Sequence, residues 1–354
     1  MLEALHAALA ALPGLGNLRA DELAALPAKG TAHGHVRIAR PGHTMLARIC
    51  YAHPGDPGAP ARLHAQAAAF TRLAPSARVP RLYGTFEPGE GLPGGVLLVE
   101  AIDGRVPRLP DDLAALAQSL AAIHALAVPD PAQAAPLPYH HHPVRELMAA
   151  IEANAPFFER LAMDRQSLDL VRGELAWARD FTAREGGKQH PLSSALADTH
   201  PGNFLVRGDG AAIFLDLEKV HYGSAAIDLA HCTLPTSTRW DEDVNCTLDA
   251  AQVRDFYRAY FGYRPDASVK LKPWLVPLRR MTLLRTLAFC ARWSVQTQAP
   301  RDPDDPGQWS DSGLEPHLRL RKRALIADYF RPATLRSFLA EWHGDRPFNL
   351  LDSL

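Results

Sequence analysis

Leu196-Ala197-Asp198-Thr199-His200-Pro201-Gly202-Asn203-Phe204-Leu205-Val206-Arg207-Gly208-Asp209-Gly210-Ala211-Ala212-Ile213-Phe214-Leu215-Asp216 is the stretch whose reading decides the fold. An apolar pair precedes an acid, Asp198, and a turn from Thr199 to Gly202 leads to Asn203. Phe204-Leu205-Val206 reads as a short buried strand and Gly208-Asp209-Gly210 as a hairpin turn. Ala212-Ile213-Phe214-Leu215 is the returning strand. That strand delivers Asp216 to the end of the hairpin that carries Asn203. Singly, each of these residues is a common turn or cap residue. In this order across one hairpin, two acids and an amide converge.

Phosphoryl transfer from a nucleotide uses such a set. An acid accepts the proton of the attacking hydroxyl and positions it. An amide oxygen and a second acid hold magnesium over the phosphates, because hard cations take oxygen ligands. Asp198, Asn203 and Asp216 fit those roles in chain order.

The match continues through Asp216-Leu217-Glu218 and Gly223-Ser224-Ala225-Ala226-Ile227-Asp228-Leu229-Ala230. The segment as a whole resembles the aminoglycoside phosphotransferase and choline kinase family, relatives of the protein kinases. The resemblance runs from about residue 29 to 232. It implies an α+β, two-lobed protein-kinase-like fold, with a small antiparallel β-sheet lobe (1–101) and a larger, mostly helical lobe (102–354). It also implies ATP, or alternatively GTP, with Mg2+ as cofactors. Asp198 would be the catalytic acid, and Asn203 and Asp216 the metal ligands. Two positions depart from the family pattern. Leu196-Ala197 stands where the family has His-Gly, and Gln66 stands where a glutamate pairs with the cation of the third strand.

The bulk numbers agree with a soluble enzyme. The 354 residues suffice for two lobes with real cores, and 47% are hydrophobic. With 38 basic and 39 acidic side chains the formal net charge is -1, which gives no reason to expect a nucleic-acid or membrane partner. The 4 cysteines, Cys50, Cys232, Cys246 and Cys290, are widely spaced, which fits a reducing cytoplasm better than a disulfide framework. The N-terminus reads as an amphipathic helix and not as a signal peptide.

In chain order, the spacing predicts helices over residues 1–26, the second following Arg19-Ala20-Asp21. Lys29 to His35 is turn-rich and reads either as an ordinary hairpin or as a phosphate-covering loop; the resemblance favours the latter, with His33 and Gly34 at the nucleotide. Val36–Ala39 and Met45–Ile49 read as an antiparallel pair. Arg48 on the second strand is by itself a strand-face arginine, and by resemblance the phosphate-binding cation. Residues 61–73 read as a helix that carries Gln66, an amide able to bond Arg48 without supplying charge. Two strands follow, near 79–86 and 95–100. Glu100 and Ala101 match the hinge whose backbone reads the adenine edge, and Asp103-Gly104 marks the crossover.

Beyond it, residues 113–126 predict a helix with His124 packed in the core. His140-His141-His142 lacks metal-ligand spacing and reads as a loop before a helix at Pro143. Residues 144–186 predict two helices, and 274–297 and 314–329 two more. Asp228 reads as a helix-start acid beside the catalytic loop. Asp241-Glu242-Asp243 reads as a solvated cluster able to attract a cationic substrate, and Asp304, Asp305 and Trp309 as candidates for gripping an amine. The partner expected is a small-molecule hydroxyl acceptor, an aminoglycoside, amino alcohol, sugar or similar compound, bound by a monomer or homodimer. A kinase-like protein that binds a nucleotide or small ligand without transfer is the alternative. A metal hydrolase built on the histidine run lacks the ligand spacing.

Overall fold

The computed structural model describes residues 1–11, 16–27, 33–40, 43–300, 308–311 and 313–343. The chain opens with helix α1 (Leu2–Ala10), whose Leu5 and Leu9 lie one turn apart and are both fully buried. Strands β1 (Leu23–Ala25), β2 (His33–Arg40), β3 (His43–Cys50), β4 (Leu82–Phe86) and β5 (Val96–Glu100) form an antiparallel sheet in the order β1-β2-β3-β5-β4. Helix α2 (Ala59–Leu73) lies between β3 and β4 in sequence. The second helix expected near residue 20 is a single 3-10 turn, Ala20–Glu22, which runs directly into β1. Pairing Leu23 and Ala25 with Ile38 and Val36 on the sheet edge replaces a helix too short to hold itself.

The two-residue period of the strands sorts their side chains onto two faces. Val36, Ile38, Ala47, Ile49, Val96 and Leu98 pack with Leu5 and Leu9 of α1. Cys50, Leu97 and Val99 face the other way and join Leu63, Phe70 and Leu73 of α2 in the large core that continues into the helical half. Arg48 sits between Ala47 and Ile49 and so points with the second set, toward the rest of the molecule. Alternation on one strand thereby aims a cation at the site.

After β5 the chain crosses through Gly104, where a Cβ would come within 3.0 Å of the Val206 carbonyl oxygen. Arg105 and Val206 then exchange two backbone hydrogen bonds, tying the crossover to the central hairpin. The helical half comprises α3 (Leu113–His124), α4 (Pro143–Glu152), α5 (Pro156–Arg160), α6 (Arg165–Glu185), α7 (Ala225–Thr233), α8 (Pro235–Thr238), α9 (Ala250–Tyr263), α10 (Pro265–Gln298), α11 (Pro316–Tyr329) and α12 (Pro332–Leu339). The short strands β6 (Ser193–Ala195) and β9 (His221–Gly223) pair antiparallel, as do β7 (Phe204–Val206) and β8 (Ala212–Phe214).

Residues 144–186 hold three helices and not two, because Pro156 begins a short one of its own. Helix α10 begins at Pro265, well before the expected start, and runs through Pro273 and Pro277. Buried Leu271, Trp274 and Leu275 hold that stretch by packing, which outweighs the two missing backbone donors. Further along, Arg279 is 1% exposed; it donates 2.6 and 2.8 Å bonds to Glu341 and a 2.7 Å bond to Thr233 of α7. Among the described residues, no helix is long and apolar enough to cross a membrane.

Candidate active site

The central hairpin forms as its sequence predicts, with Phe204 opposite Phe214 and Val206 opposite Ala212. A 3-10 turn over Pro201–Asn203 leads into β7. The Leu215 N–H donates to the Asn203 carbonyl at 2.9 Å, which brings Asp216 beside Asn203. The Asn203 amide nitrogen donates 2.8 Å to the Asp198 carbonyl. Its side-chain oxygen is the end left for another partner.

What holds the loop before Asp198 is Asp228 of α7, whose side chain is fully buried. Its carboxylate accepts from the Leu196 N–H at 2.7 Å and the Ala197 N–H at 2.9 Å. It also meets His124 Nε2 at 3.0 Å, and His124 Nδ1 lies 3.1 Å from the Tyr260 hydroxyl. The Thr199 hydroxyl donates to the Asp228 backbone carbonyl at 2.7 Å. Asp228 therefore caps the loop that leads to Asp198 and not its own helix; Ser224 caps α7. Leu196 is fully buried, and Ala197 takes a left-handed φ of 64°, a conformation that suits glycine.

Lys219, one residue past the Asp-Leu-Glu run, donates to the Asp198 carboxylate at 2.7 Å. Burial alone would raise this carboxyl, but the charge and hydrogen bond of Lys219, together with nearby His200 and His231, outweigh it and hold Asp198 well below the usual carboxylate range. His231 of α7 stands 3.9 Å from Asp198, its pKa pulled to about 3 by burial and the nearby Arg285. An ionised acid thus sits between a lysine and neutral imidazoles.

On the sheet side, Arg48 donates to the Leu215 carbonyl at 3.1 Å and to the Asp216 carboxylate. Gln66 does not reach Arg48 as expected. His33 stands between them, its Nε2 at 3.1 Å from Gln66 Oε1 and its Nδ1 at 3.2 Å from Arg48 Nη2. Burial and Arg48 pull the His33 pKa to about 3, so the ring is neutral. A neutral ring protonated on Nε2 satisfies both neighbours: it donates to the amide oxygen and accepts from the guanidinium. His33 and Gly34 belong to strand β2 and not to a loop; Lys29 to Ala32 lie outside the described residues. Gly34 packs against Tyr51, whose hydroxyl oxygen would lie 2.7 Å from an added Cβ.

At the hinge, the Glu100 N–H bonds the Arg81 carbonyl at 2.8 Å and the Ala101 N–H the Thr44 carbonyl at 3.2 Å. What these two residues offer a base edge is their carbonyl oxygens. The Glu100 side chain pairs with Arg207.

Asp216 and Glu218 fit a hard divalent cation. With His33 they form a cluster whose ligand atoms lie within 4.8 Å of one another. The Glu218 carboxyl is pushed up by burial and by the Asp216 charge, the signature of negative charge packed more closely than its cations neutralise. His33 Nδ1 is already taken by Arg48, which leaves the carboxylates and the Asn203 amide oxygen as an all-oxygen donor set. The three histidines at 140–142 converge on nothing: the His140 ring stacks on His221 at 4.2 Å, the His141 ring on Tyr139 at 4.7 Å, and His142 precedes α4.

A cavity of about 290 Å3 opens beside Asp198, walled by α7, α8 and α10. A larger one, about 610 Å3, lies between the α5–α6 connection, α10 and α11 and contains no residue of the hairpin, so position and not size marks the site. Asp241 does not line the smaller cavity. It packs on Gly202 and accepts from the Asp243 N–H. Glu242 faces His317. Trp309 stacks on Phe289 at 5.0 Å, while Asp304 and Asp305 lie outside the described residues. Lys219, His231, Arg285, Thr236, Ser237 and Trp240 are site residues that no local sequence pattern marked.

Comparison with known proteins agrees with this geometry. A search of curated protein sequences finds no match. Among solved structures, a choline/ethanolamine kinase family protein from Mesorhizobium loti superposes with a TM-score of 0.58 at 17% identity, covering 96% of this chain and 98% of that one. Choline kinase from Cryptosporidium parvum gives 0.57 at 13% identity, with the same coverage of 96% and 98%. A spectinomycin phosphotransferase solved with ADP and spectinomycin gives 0.57 at 12% identity, with coverage of 89% and 91%. The fold is thus the two-lobed protein-kinase-like one. The family model described as "Phosphotransferase enzyme family" matches residues 30–267, and the chain belongs to that family of small-molecule kinases.

Proposed function

We propose that the protein is an ATP- and magnesium-dependent kinase that moves the γ-phosphoryl group to a hydroxyl of a small molecule. The observation that carries this reading is the position of Asp198. It is ionised, it borders a cavity, and it lies in the loop leading into the hairpin that carries Asn203 and Asp216. An acceptor hydroxyl in the cavity meets a carboxylate that can take its hydrogen bond and aim its oxygen. Asn203, Asp216 and Glu218 would hold magnesium, which would supply positive charge against the phosphates. Arg48, anchored by Leu215 and His33, steadies the phosphates from the sheet side. Lys219 keeps Asp198 deprotonated and stands where charge shifts as the phosphoryl group moves. In a loose transition state these are tasks of positioning and charge balance, which the rigid hairpin suits.

The test is magnesium-dependent ADP release with a panel of hydroxyl compounds. Asp198→Asn should lower kcat by about 100- to 10,000-fold and leave Mg-ATP binding intact. Unchanged turnover would remove Asp198 from this role, and failure to bind Mg-ATP at all would end the kinase reading.

A further inference from the structure

The cavity beside Asp198 carries a chemical signature of its own. Asp198 is the only carboxylate among the residues lining it, and Lys219 already occupies that acid. Arg285 of α10 also lines it. One Arg285 hydrogen bond is seen, 3.1 Å from Nη2 to the Ala197 carbonyl, and among the described residues no carboxylate lies within ion-pair distance. A half-buried guanidinium with no carboxylate in contact, answered only at longer range by Asp198 and Asp228, is costly unless something else meets its charge.

Four buried polar atoms at the same cavity also lack a partner: His200 Nδ1, His231 Nδ1, Thr236 Oγ1 and Ser237 Oγ. Thr236 and Ser237 are 1% and 2% exposed and His231 is 6% exposed, so water does not freely serve them. Native interiors seldom leave such groups unpaired, and a small rotation turning these side chains toward the cavity would let a hydroxyl-rich guest pair them. The remaining wall is aromatic, with Trp240 and Phe289 edge to face at 6.3 Å, a surface suited to the apolar face of a ring.

We infer that the phosphoryl acceptor is a small polyhydroxylated anion, a sugar acid, hydroxy acid or sugar phosphate, whose anionic group pairs with Arg285 while its hydroxyls bond Thr236, Ser237 and the two histidines. This rests on the kinase reading and narrows it. Cationic acceptors such as amino alcohols and aminoglycosides meet two cations and no free acid there. The acidic run at Asp241 does not line the cavity, so it does not reverse that sign.

The experiment uses the full chain with Mg-ATP. Cationic, neutral and anionic hydroxyl compounds are compared by ADP release and, independently, by thermal-shift binding; the anionic set includes matched carboxylate and phosphate members, to separate the two sources of charge. Anions should give the highest kcat/KM and the tightest binding. Arg285→Met should raise KM for the anion about 10- to 100-fold with a smaller change in kcat, and so collapse the anion-over-neutral preference. Arg285→Lys, which keeps the charge, should restore part of that preference and controls for folding. A cationic compound as best substrate, anions no better than neutral analogues, or no binding by any anion would overturn the inference. Anion binding without transfer would instead bring down the kinase reading and leave the anion pocket standing.

Discussion

At the scale of single residues, His33 explains why this chain carries glutamine at position 66. A glutamate there would favour an imidazolium, whose second N–H could no longer accept from Arg48. Gln66 presents its oxygen to the ring and its nitrogen 3.9 Å from the Cys50 sulfur, so the amide is used at both ends. Gln66→Leu should leave the His33 N–H unpaired and cost about 1–3 kcal/mol, measured by urea unfolding. A loss below about 0.5 kcal/mol would mean that the chain from Gln66 to Arg48 adds nothing. Sequence located Gln66 and Arg48 on their elements but not the histidine between them. Contact between residues 33 and 66 follows from how a strand and a helix pack, which no local spacing encodes.

At the scale of elements, the catalytic loop is held by α7 and not by its own residues. Replacing His-Gly with Leu196-Ala197 leaves the loop a buried leucine and a strained alanine, and Asp228 supplies the polar anchoring. Asp228→Ala would orphan two backbone N–H groups together with His124. We expect a loss of about 3–5 kcal/mol by denaturant unfolding, with turnover falling alongside. Stability within about 1 kcal/mol of the parent would contradict that assignment. The hairpin and strands β2 to β5 were legible because two-residue alternation and glycine turns are local signals, while β1 fell in a stretch expected to be helical. Helices α9 and α12 and the early start of α10 were not. In α10 the interior Pro273 and Pro277 argue for a break that burial of Leu271, Trp274 and Leu275 overrides, whereas α9 carries a local start signal in its Asp249–Gln252 capping box that the sequence reading missed.

At the scale of the whole molecule, buried neutral histidines set the response to acid. Burial pulls His140 and His190 to about 4, and His231 to about 3 with help from Arg285. The unfolded chain takes up protons near the ordinary value of about 6.5, whereas the folded one does so only at the lower values. The unfolded state therefore binds more protons across that window, and stability falls as pH drops from about 6.5 toward 4. His190 and His231, each 6% exposed, contribute a slope of up to about 1.4 kcal/mol per pH unit apiece. Glu218, raised by burial, works in the opposite direction. The melting temperature should drop clearly between pH 7.5 and 5; a flat profile would show that these rings accept protons in the native state. Composition indicated that histidines are present but not that they are buried, since burial belongs to the assembled core.

The division of the site between one hairpin and several distant helices bears on how such a protein changes over generations. In the proposed reading, Asp198, Asn203 and Asp216 share a single short segment, so an alteration there would end the reaction. Thr236, Ser237, Trp240, Arg285 and Phe289 come from α8, the turn after it and α10, and Arg285 meets the central segment at the backbone oxygen of Ala197. In the proposed reading, single substitutions on α8 or α10 would alter the acceptor's contacts while leaving Asp198, Asn203 and Asp216 in place; Ala197, Asp198 and His200 belong to both the cavity and the central segment. Selection for new chemistry on an old acceptor has no comparable route.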